Sequence, residues 1–167
     1  MSKAFTKDDD APDAPLLLPR RPPLPAGVTN YVTARGLALL QAELAAERQR
    51  GLAARAANDA ERGGASALHA ARLAEIEQRL ASAVLVSSRQ QPKDEVRFGA
   101  TVRVVNASGA HRQYRIVGVD EADAAQGAIA FVAPLARSLL GKRVGDTARL
   151  RTPSGEEELE ILEIRYE

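Results

Sequence analysis

Two carboxylates beside a glycine pair are the residues of this chain best suited to chemistry. Asp59 and Glu61 lie in the stretch from Asn58 to Gly64, between two segments rich in alanine, leucine and arginine. If both segments are helices that fold back as an antiparallel hairpin, the carboxylates lie at its tip. Mg²⁺ takes oxygen ligands and usually needs one or two carboxylates. The stretch therefore predicts a projecting tip that delivers a divalent cation to another macromolecule's active site.

The segments on either side of this tip have helical periodicity from residue 33 to about residue 86. Thr33 is a plausible N-cap for the first helix, and Gly63 with Gly64 is the expected turn. The two narrow apolar stripes predict a two-stranded antiparallel coiled coil, with a helical pair packed on the rest of the protein as the alternative. The first stripe continues loosely to Leu52, and the two stripes comprise Leu37, Leu40, Leu44 and Leu52, then Leu73, Ile76, Leu80 and Val84.

After Pro92 the pattern changes to short strands separated by turns, which predicts a small α+β domain. A short helix is expected at 134–140, because Pro134 suits the first position of a helix. The strand candidates are 96–98 with 101–105, 113–119, 128–132, 147–150 and 157–166. The predicted organisation is a tail at 1–30, a helical hairpin at 31–90 and the α+β domain at 91–167.

The tail is polar at first and then rich in proline. Residues 12–25 hold six of the nine prolines, and this density excludes a helix or sheet interior. A disordered tail and a proline-rich docking motif are both compatible with this composition.

Composition limits the class of protein. The chain has 167 residues, 27% of them charged, a net charge of +1 and no cysteine. It therefore has no disulfide framework and no global attraction to nucleic acid or membrane. No apolar run approaches the roughly 20 residues of a membrane helix, and the N-terminus lacks a signal-peptide core. We expect a cytoplasmic protein with no membrane partner.

Other candidate sites are weaker. His69 and His111 lie in different predicted domains without further ligands at metal spacing, so we expect surface histidines and no zinc site. Four arginines in the helical region suit either nucleic-acid phosphate or a solvated helix face, because acidic residues such as Glu43 and Glu47 alternate with them. These arginines are Arg48, Arg50, Arg55 and Arg62.

Four ordered blocks of the C-terminal half resemble the C-terminal domain of bacterial Gre transcript-cleavage factors. They are residues 98–102, 115–123, 134–142 and 152–156, and residues 2–7 and 32–44 resemble the GreB branch in particular. The resemblance implies a coiled-coil finger followed by an FKBP-like domain that docks at the rim of the RNA polymerase secondary channel. It further implies a monomer that is not itself an enzyme and has no cofactor of its own.

In that family the finger enters the channel, close to the RNA 3′ end. Its tip carboxylates help to hold an Mg²⁺ with which the polymerase hydrolyses backtracked RNA, a role that falls here on Asp59 and Glu61. The docking surface implied by the resemblance comprises Val132, Ala133, Pro134 and Arg137.

The chain also departs from the family pattern. Arg62 stands three residues after Asp59, where the family has glutamate, and the nearest glutamate is Glu61. A one-residue shift on a helix turns a side chain by about 100°, and arms about eight residues shorter lose roughly 12 Å of reach. Val132 and Ala133 replace polar residues of the family's docking surface, unless Val132 merely extends a buried strand.

Three functions remain open from the sequence. The chain is an active cleavage stimulator, a non-cleaving regulator that occupies the secondary channel, or a peptidyl-prolyl isomerase or chaperone-like module. The tip and the short arms favour the second function over the first. With three Phe, three Tyr and no Trp, an aromatic cage for proline is hard to build.

Overall fold

The computed structural model describes residues 22–56 and 62–166, which form two long helices, a two-stranded sheet and a five-stranded sheet with a short helix. The predicted α+β class is confirmed. In the part of the chain so described, no helix combines the length and apolar character needed to cross a bilayer. The elements are β1 Asn30–Val32, α1 Ala34–Ala56, α2 Arg62–Ser82, β2 Ala83–Leu85, β3 Ala100–Asn106, β4 His111–Val117, β5 Ala128–Ala130, α3 Pro134–Leu139, β6 Thr147–Thr152 and β7 Gly155–Tyr166.

The start of α1 is capped as the sequence predicts. The Gly36 amide donates a hydrogen bond to Thr33 Oγ1 over 2.9 Å, which satisfies one of the free amides of the first turn. Asn30, which the sequence assigns to the tail, is 2% exposed in β1. The ordered fold therefore begins before the predicted boundary at residue 31.

The predicted turn at Gly63 and Gly64 is wrong, because both residues lie in α2, which begins at Arg62. A glycine costs a helix about 1 kcal/mol relative to alanine, and packing of α2 against α1 outweighs that cost. Helix α1 ends at Ala56, and residues 57–61, which precede α2 in the sequence, lie outside the described residues.

The second helix also ends earlier than its periodicity predicts. Val84 lies in β2, a strand that pairs in parallel with β1 and sets Val84 opposite Tyr31. Asn30 Nδ2 donates to the Arg79 carbonyl over 3.0 Å and to Ser82 Oγ over 3.1 Å. This side chain satisfies a carbonyl that the helix end leaves without a helical partner.

The sheet of the C-terminal domain has the strand order β5-β4-β3-β7-β6. All neighbours are antiparallel except β4 and β5, and the pairing of β3 with β7 shifts between Arg103 and Val104. The predicted strand at 96–98 is wrong. Val96 instead exchanges backbone hydrogen bonds of 2.8 Å with Lys142 and Gly141, which buries it next to the end of α3.

One face of this sheet forms the core of the domain together with α3. Strand residues alternate between this face and solvent, so the buried set recurs at every second position. The outer face carries cross-strand ion pairs, such as Arg149 with Glu158 at 3.0 Å. The core residues are Val96, Ala100, Val102, Val104, Ile116, Ala136, Leu139, Ala148, Leu159 and Ile161.

The end of β7 is tied to the segment that precedes β3. Tyr166 Oη donates to the Glu95 carbonyl over 2.5 Å and accepts from the Arg97 amide over 2.8 Å. Burial raises the pKa of Tyr166 above its usual value of 10.0, although the Arg97 amide opposes that shift. The neutral phenol of Tyr166 therefore links the end of β7 to the segment before β3.

Candidate functional site

The two carboxylates of the predicted tip, Asp59 and Glu61, lie outside the described residues. Their geometry is therefore not part of the structure, and their role as Mg²⁺ ligands stays a prediction. Within residues 22–56 and 62–166, no three side chains of His, Asp, Glu or Cys gather as a metal site requires.

The second predicted site, the docking segment at 132–137, forms the entry to α3. Pro134 occupies the first turn of the helix, where its missing amide costs nothing. Pro134 and Arg137 are exposed, whereas Val132 and Ala133 are half-buried. Strand β5 ends at Ala130, so Val132 lies in the turn before α3 and does not extend the strand.

An aromatic cluster that the sequence did not predict lies next to this segment. The rings of Tyr31, Phe98 and Phe131 have centroids 5.6 to 5.9 Å apart, with tilted or edge-on planes. These separations are those of aromatic pairs in direct contact. Tyr31 comes from β1, so the cluster joins the base of the helical pair to the docking segment, and Tyr31 remains 36% exposed.

A buried carboxylate makes a second connection between the helical pair and the C-terminal domain. Glu121, in the turn after β4, accepts a hydrogen bond from the Thr33 hydroxyl and lies 3.5 Å from Arg115 Nη2. A Cβ on Gly36 would come within 2.8 Å of Glu121 Oε2. The carboxylate thus needs glycine at the start of α1, where the helix dipole favours a negative charge.

At the same base of the helical pair, the second helix is held by Arg79, in the last turn of α2. Its guanidinium lies 3.9 Å from Asp120 Oδ2, and the two side chains are 12% and 4% exposed. Arg79 Nη2 also donates to the Pro22 carbonyl over 2.6 Å. Glu121 and Asp120 therefore bind the start of α1 and the end of α2, respectively, to one turn of the C-terminal domain.

Residues 91–166 match a protein-family model described as transcription elongation factor, GreA/GreB, C-terminal domain. This part of the chain belongs to the GreA/GreB family. The predicted resemblance is thereby confirmed, and the matched Gre domain contains α3, the docking segment and both Asp120 and Glu121.

Individual relatives agree with this family. Transcription elongation factor GreA of Yersinia pestis is 46% identical over 97 residues, which cover 57% of this chain and 61% of the relative. Transcription elongation factor GreB of Neisseria meningitidis serogroup A is 45% identical over 89 residues, which cover 53% and 55%. The matches thus span less than two thirds of the length of these Gre relatives.

The solved structures that resemble the chain include one of GreA factor homolog 1 (Gfh1) of Thermus thermophilus. It is 25% identical, covers 83% of this chain and 99% of that chain, and has a TM-score of 0.40.

Two polar residues of the helical pair differ from their sequence predictions. Glu47 was expected on an exposed helix surface, and His69 was expected to be a surface histidine. Glu47 is instead 4% exposed, and its Oε1 lies 2.7 Å from His69 Nδ1 on the neighbouring helix. His111 is exposed, as predicted. Hydrophobic periodicity misses such a pair because it counts only apolar residues at the helix interface.

The arginines on the helices are partly engaged with carboxylates. Arg48 pairs with Glu77 of α2 at 2.9 Å, and Arg50 pairs with Glu47 at 3.0 Å. The side chains of Arg55 and Arg62 lie outside the description. The sequence left two roles open for these arginines, phosphate binding or a solvated helix face. The ion pairs of Arg48 and Arg50 favour the solvated helix face.

Proposed function

We propose that this protein is a Gre-family transcription elongation factor that binds RNA polymerase and regulates elongation. The FKBP-like Gre domain docks at the rim of the secondary channel, and α1 and α2 form an antiparallel coiled-coil finger that enters it. The protein acts as a monomer in the cytoplasm, modulates the polymerase and has no catalytic centre of its own. The observation that carries this proposal is the GreA/GreB match over residues 91–166.

The docking segment suits a protein partner. Pro134 and Arg137 are exposed at the start of α3, and the half-buried Val132 and Ala133 continue toward the aromatic cluster. A small apolar area with an exposed arginine at its rim is the usual composition of a protein interface. This arrangement supports binding of the polymerase at the junction of the Gre domain and the finger.

The finger is long enough to project but short for a cleavage factor. With 23 residues, α1 is about 35 Å long at ~1.5 Å per residue. Asp59 comes three positions after the end of α1 in the sequence and lies outside the described residues, and the proposal assigns its carboxylate to the far end of the finger. There it would supply an oxygen ligand to Mg²⁺ together with ligands of the polymerase, and Glu61 is the second candidate.

We further propose that stimulation of transcript cleavage is weak or absent. Arg62, the first residue of α2, takes the place of a carboxylate in the family pattern. A positive charge about 4 Å from Mg²⁺ costs roughly 2 kcal/mol even at the dielectric constant of water, before screening by salt. This substitution supports the second candidate function, a non-cleaving regulator that occupies the channel and competes with other Gre factors.

The isomerase alternative finds less support. The rings of Tyr31, Phe98 and Phe131 contact one another, so they fill the space that an open aromatic cage would need for a proline ring. We therefore do not propose isomerase activity.

Binding of the intact protein to core RNA polymerase tests the docking surface. Arg137→Glu reverses an exposed charge of the docking segment, and we expect about a tenfold loss of affinity, which corresponds to ~1.4 kcal/mol. Arg103→Glu is the matched control, because Arg103 is an exposed arginine on a strand of the same domain. Equal affinities of the two variants for the polymerase would contradict the proposed surface.

A further inference from the structure

Two exposed apolar side chains lie next to each other at the base of the helical pair. Leu52 is also exposed, at 58%, so the predicted continuation of the first apolar stripe to Leu52 is wrong. Tyr31 and Val84 are Cα partners in the pairing of β1 with β2, so their side chains lie side by side on one face. Within residues 22–56 and 62–166, the large apolar side chains that remain exposed are Tyr31, Leu39, Leu52, Val84, Leu85 and Val144.

The face that carries Tyr31 and Val84 continues into the Gre domain. Phe131 packs against the core of that domain, and the rings of Tyr31 and Phe98 both contact it. Phe98 and Phe131 are half-buried, whereas Tyr31 and Val84 are 36% and 45% exposed. We call these four residues the junction patch. Val132, the first residue of the docking segment, follows Phe131 directly, so the junction patch and the docking segment are continuous.

The aromatic rings of the junction patch are held in place by one another. Each of the three rings contacts the other two, with centroids 5.6 to 5.9 Å apart. The backbone of Tyr31 is also closely packed, because a Cβ on Gly118 would lie 2.7 Å from the Tyr31 carbonyl oxygen. A side chain that is already fixed loses little conformational entropy on binding, and tyrosine is enriched among the residues that dominate interface energies.

The segments that frame the junction patch are basic. Residues 86–99 and 131–142 together hold five basic and two acidic residues. Both acidic residues are paired, Glu95 with Arg97 at 3.1 Å and Asp94 with Arg143 at 3.5 Å. The framing segments therefore present a surplus of positive charge.

One of these basic residues, Arg89, comes from the short 3-10 turn Ser88–Gln90. A Cβ on Gly99 would lie 3.8 Å from Ser88 Cβ, so this turn lies beside the residue that follows Phe98. Arg89 is exposed there, and Arg137 is exposed on the docking segment. An apolar centre framed by arginines is complementary to a surface with apolar side chains between carboxylates.

We propose that the junction patch is the apolar centre of the polymerase-docking surface, and that it receives an acidic, amphipathic protein segment of the polymerase. This inference rests on the proposed function, since the partner is the polymerase. The docking surface is then composite: Tyr31 and Val84 come from the helical pair, and Phe98 and Phe131 come from the Gre domain. A partner bound there contacts both parts of the protein at once.

Val84→Glu in the intact protein tests the junction patch by binding to core RNA polymerase. The added carboxylate faces the acidic partner and loses hydration without gaining a counter-charge, so we expect at least about a tenfold loss of affinity. Leu85→Glu is the matched control, because Leu85 is 54% exposed on the same strand but faces the opposite side. It should bind within about twofold of the native protein. Equal affinities of the two variants would overturn the junction patch.

If circular dichroism shows that Val84→Glu is unfolded, alkylation of single cysteines decides the question. The chain has no cysteine, so Val84→Cys and Leu85→Cys each carry one reactive thiol. With polymerase at about ten times its Kd, maleimide should modify Val84→Cys about tenfold more slowly, because only about a tenth of the protein stays free. Leu85→Cys should react at its original rate. Equal protection of both positions, or of neither, would overturn the proposal.

The acidic character of the partner has its own test. Arg89→Glu should lower the affinity for polymerase about fivefold at low salt and less at high salt, since salt screens exposed charges. Arg151→Glu is the control, because Arg151 is exposed on β6, at the opposite edge of the sheet from β5. Equal affinities of these two variants at low salt would overturn the assignment of an acidic partner.

Two further outcomes separate this inference from its alternatives. If sedimentation shows that the native protein is a dimer and that Val84→Glu is a monomer, a second copy covers the junction patch and the proposal is wrong. If the native protein does not bind polymerase, the proposed function fails and the inference fails with it. Native binding with equal affinities for Val84→Glu and Leu85→Glu would overturn the junction patch alone.

Discussion

At the residue scale, a few side chains carry more than their types indicate. Thr33 caps α1 and also donates to the buried Glu121, so one hydroxyl serves both the helix and its attachment to the Gre domain. The N-cap was predictable because its partner lies within one turn. The bond to Glu121 was not, because its two residues are 88 positions apart and nothing local links them.

Thr33→Val tests this double role. The substitution removes an N-cap, worth about 1 kcal/mol, and a hydrogen bond to a charged group, worth about 1.5 to 3 kcal/mol. We expect a loss of about 2 to 4 kcal/mol in the free energy of unfolding, measured with urea. Thr33→Ser keeps the hydroxyl and should lose less than 1 kcal/mol, as ~1 kcal/mol is the whole effect of an average cap. Similar losses in both variants would contradict the role of the hydroxyl.

The raised pKa of Tyr166 leads us to expect that the folded protein loses stability at alkaline pH. Its pKa is raised by burial in the folded state, whereas the unfolded chain has a value near 10. The folded state therefore holds the proton more tightly, and its advantage is complete below pH ~10 and is lost as pH rises through the raised pKa. The stability difference between the native protein and Tyr166→Phe should be constant from pH 7 to 9 and then shrink. A stability difference between the native protein and Tyr166→Phe that stays constant above pH ~10 would contradict a raised pKa for Tyr166.

At the element scale, the long helices and most strands could be predicted from the sequence, but their ends could not. The Gly63–Gly64 pair resembles a turn, yet both residues are helical, because α2 gains more from packing on α1 than two glycines cost. Val84 fits the helical period but lies in β2, since its pairing with β1 decides its conformation. Periodicity detects the apolar face of an element and is blind to tertiary pairing at its ends.

The helical position of Gly64 has a direct consequence. In a turn that needs positive φ, alanine would destabilise the protein, whereas in a helix it removes the glycine penalty. Gly64→Ala should therefore raise the free energy of unfolding by about 0.5 to 1 kcal/mol, measured by chemical denaturation. Gly109→Ala is the contrasting control, because Gly109 has φ of 80° in the turn between β3 and β4 and should lose stability. A loss of stability in Gly64→Ala would contradict the helical position of Gly64 and favour a turn at Gly63 and Gly64.

At the scale of the whole molecule, the contacts that join the Gre domain to the helical pair within residues 22–56 and 62–166 include three polar or aromatic groups. The aromatic cluster, Glu121 and the pair of Arg79 with Asp120 all lie at the base of the helices. The Gre domain could be predicted from the sequence, because four blocks of residues that resemble the family follow one another in the family's order. The sequence could not predict the junction, whose members come from distant segments and have no common pattern.

The central claim is the proposal that this protein, whose residues 91–166 match the GreA/GreB family, occupies the polymerase channel with a tip that is poor at promoting cleavage. The most direct measurement is RNA cleavage in a halted, backtracked elongation complex with Mg²⁺, with and without an active Gre factor as competitor. We predict little cleavage by this protein alone and a dose-dependent decrease of the cleavage that the active factor promotes. Robust Mg²⁺-dependent cleavage by the unmodified protein, abolished by Asp59→Ala, would contradict the claim and make it an ordinary cleavage factor.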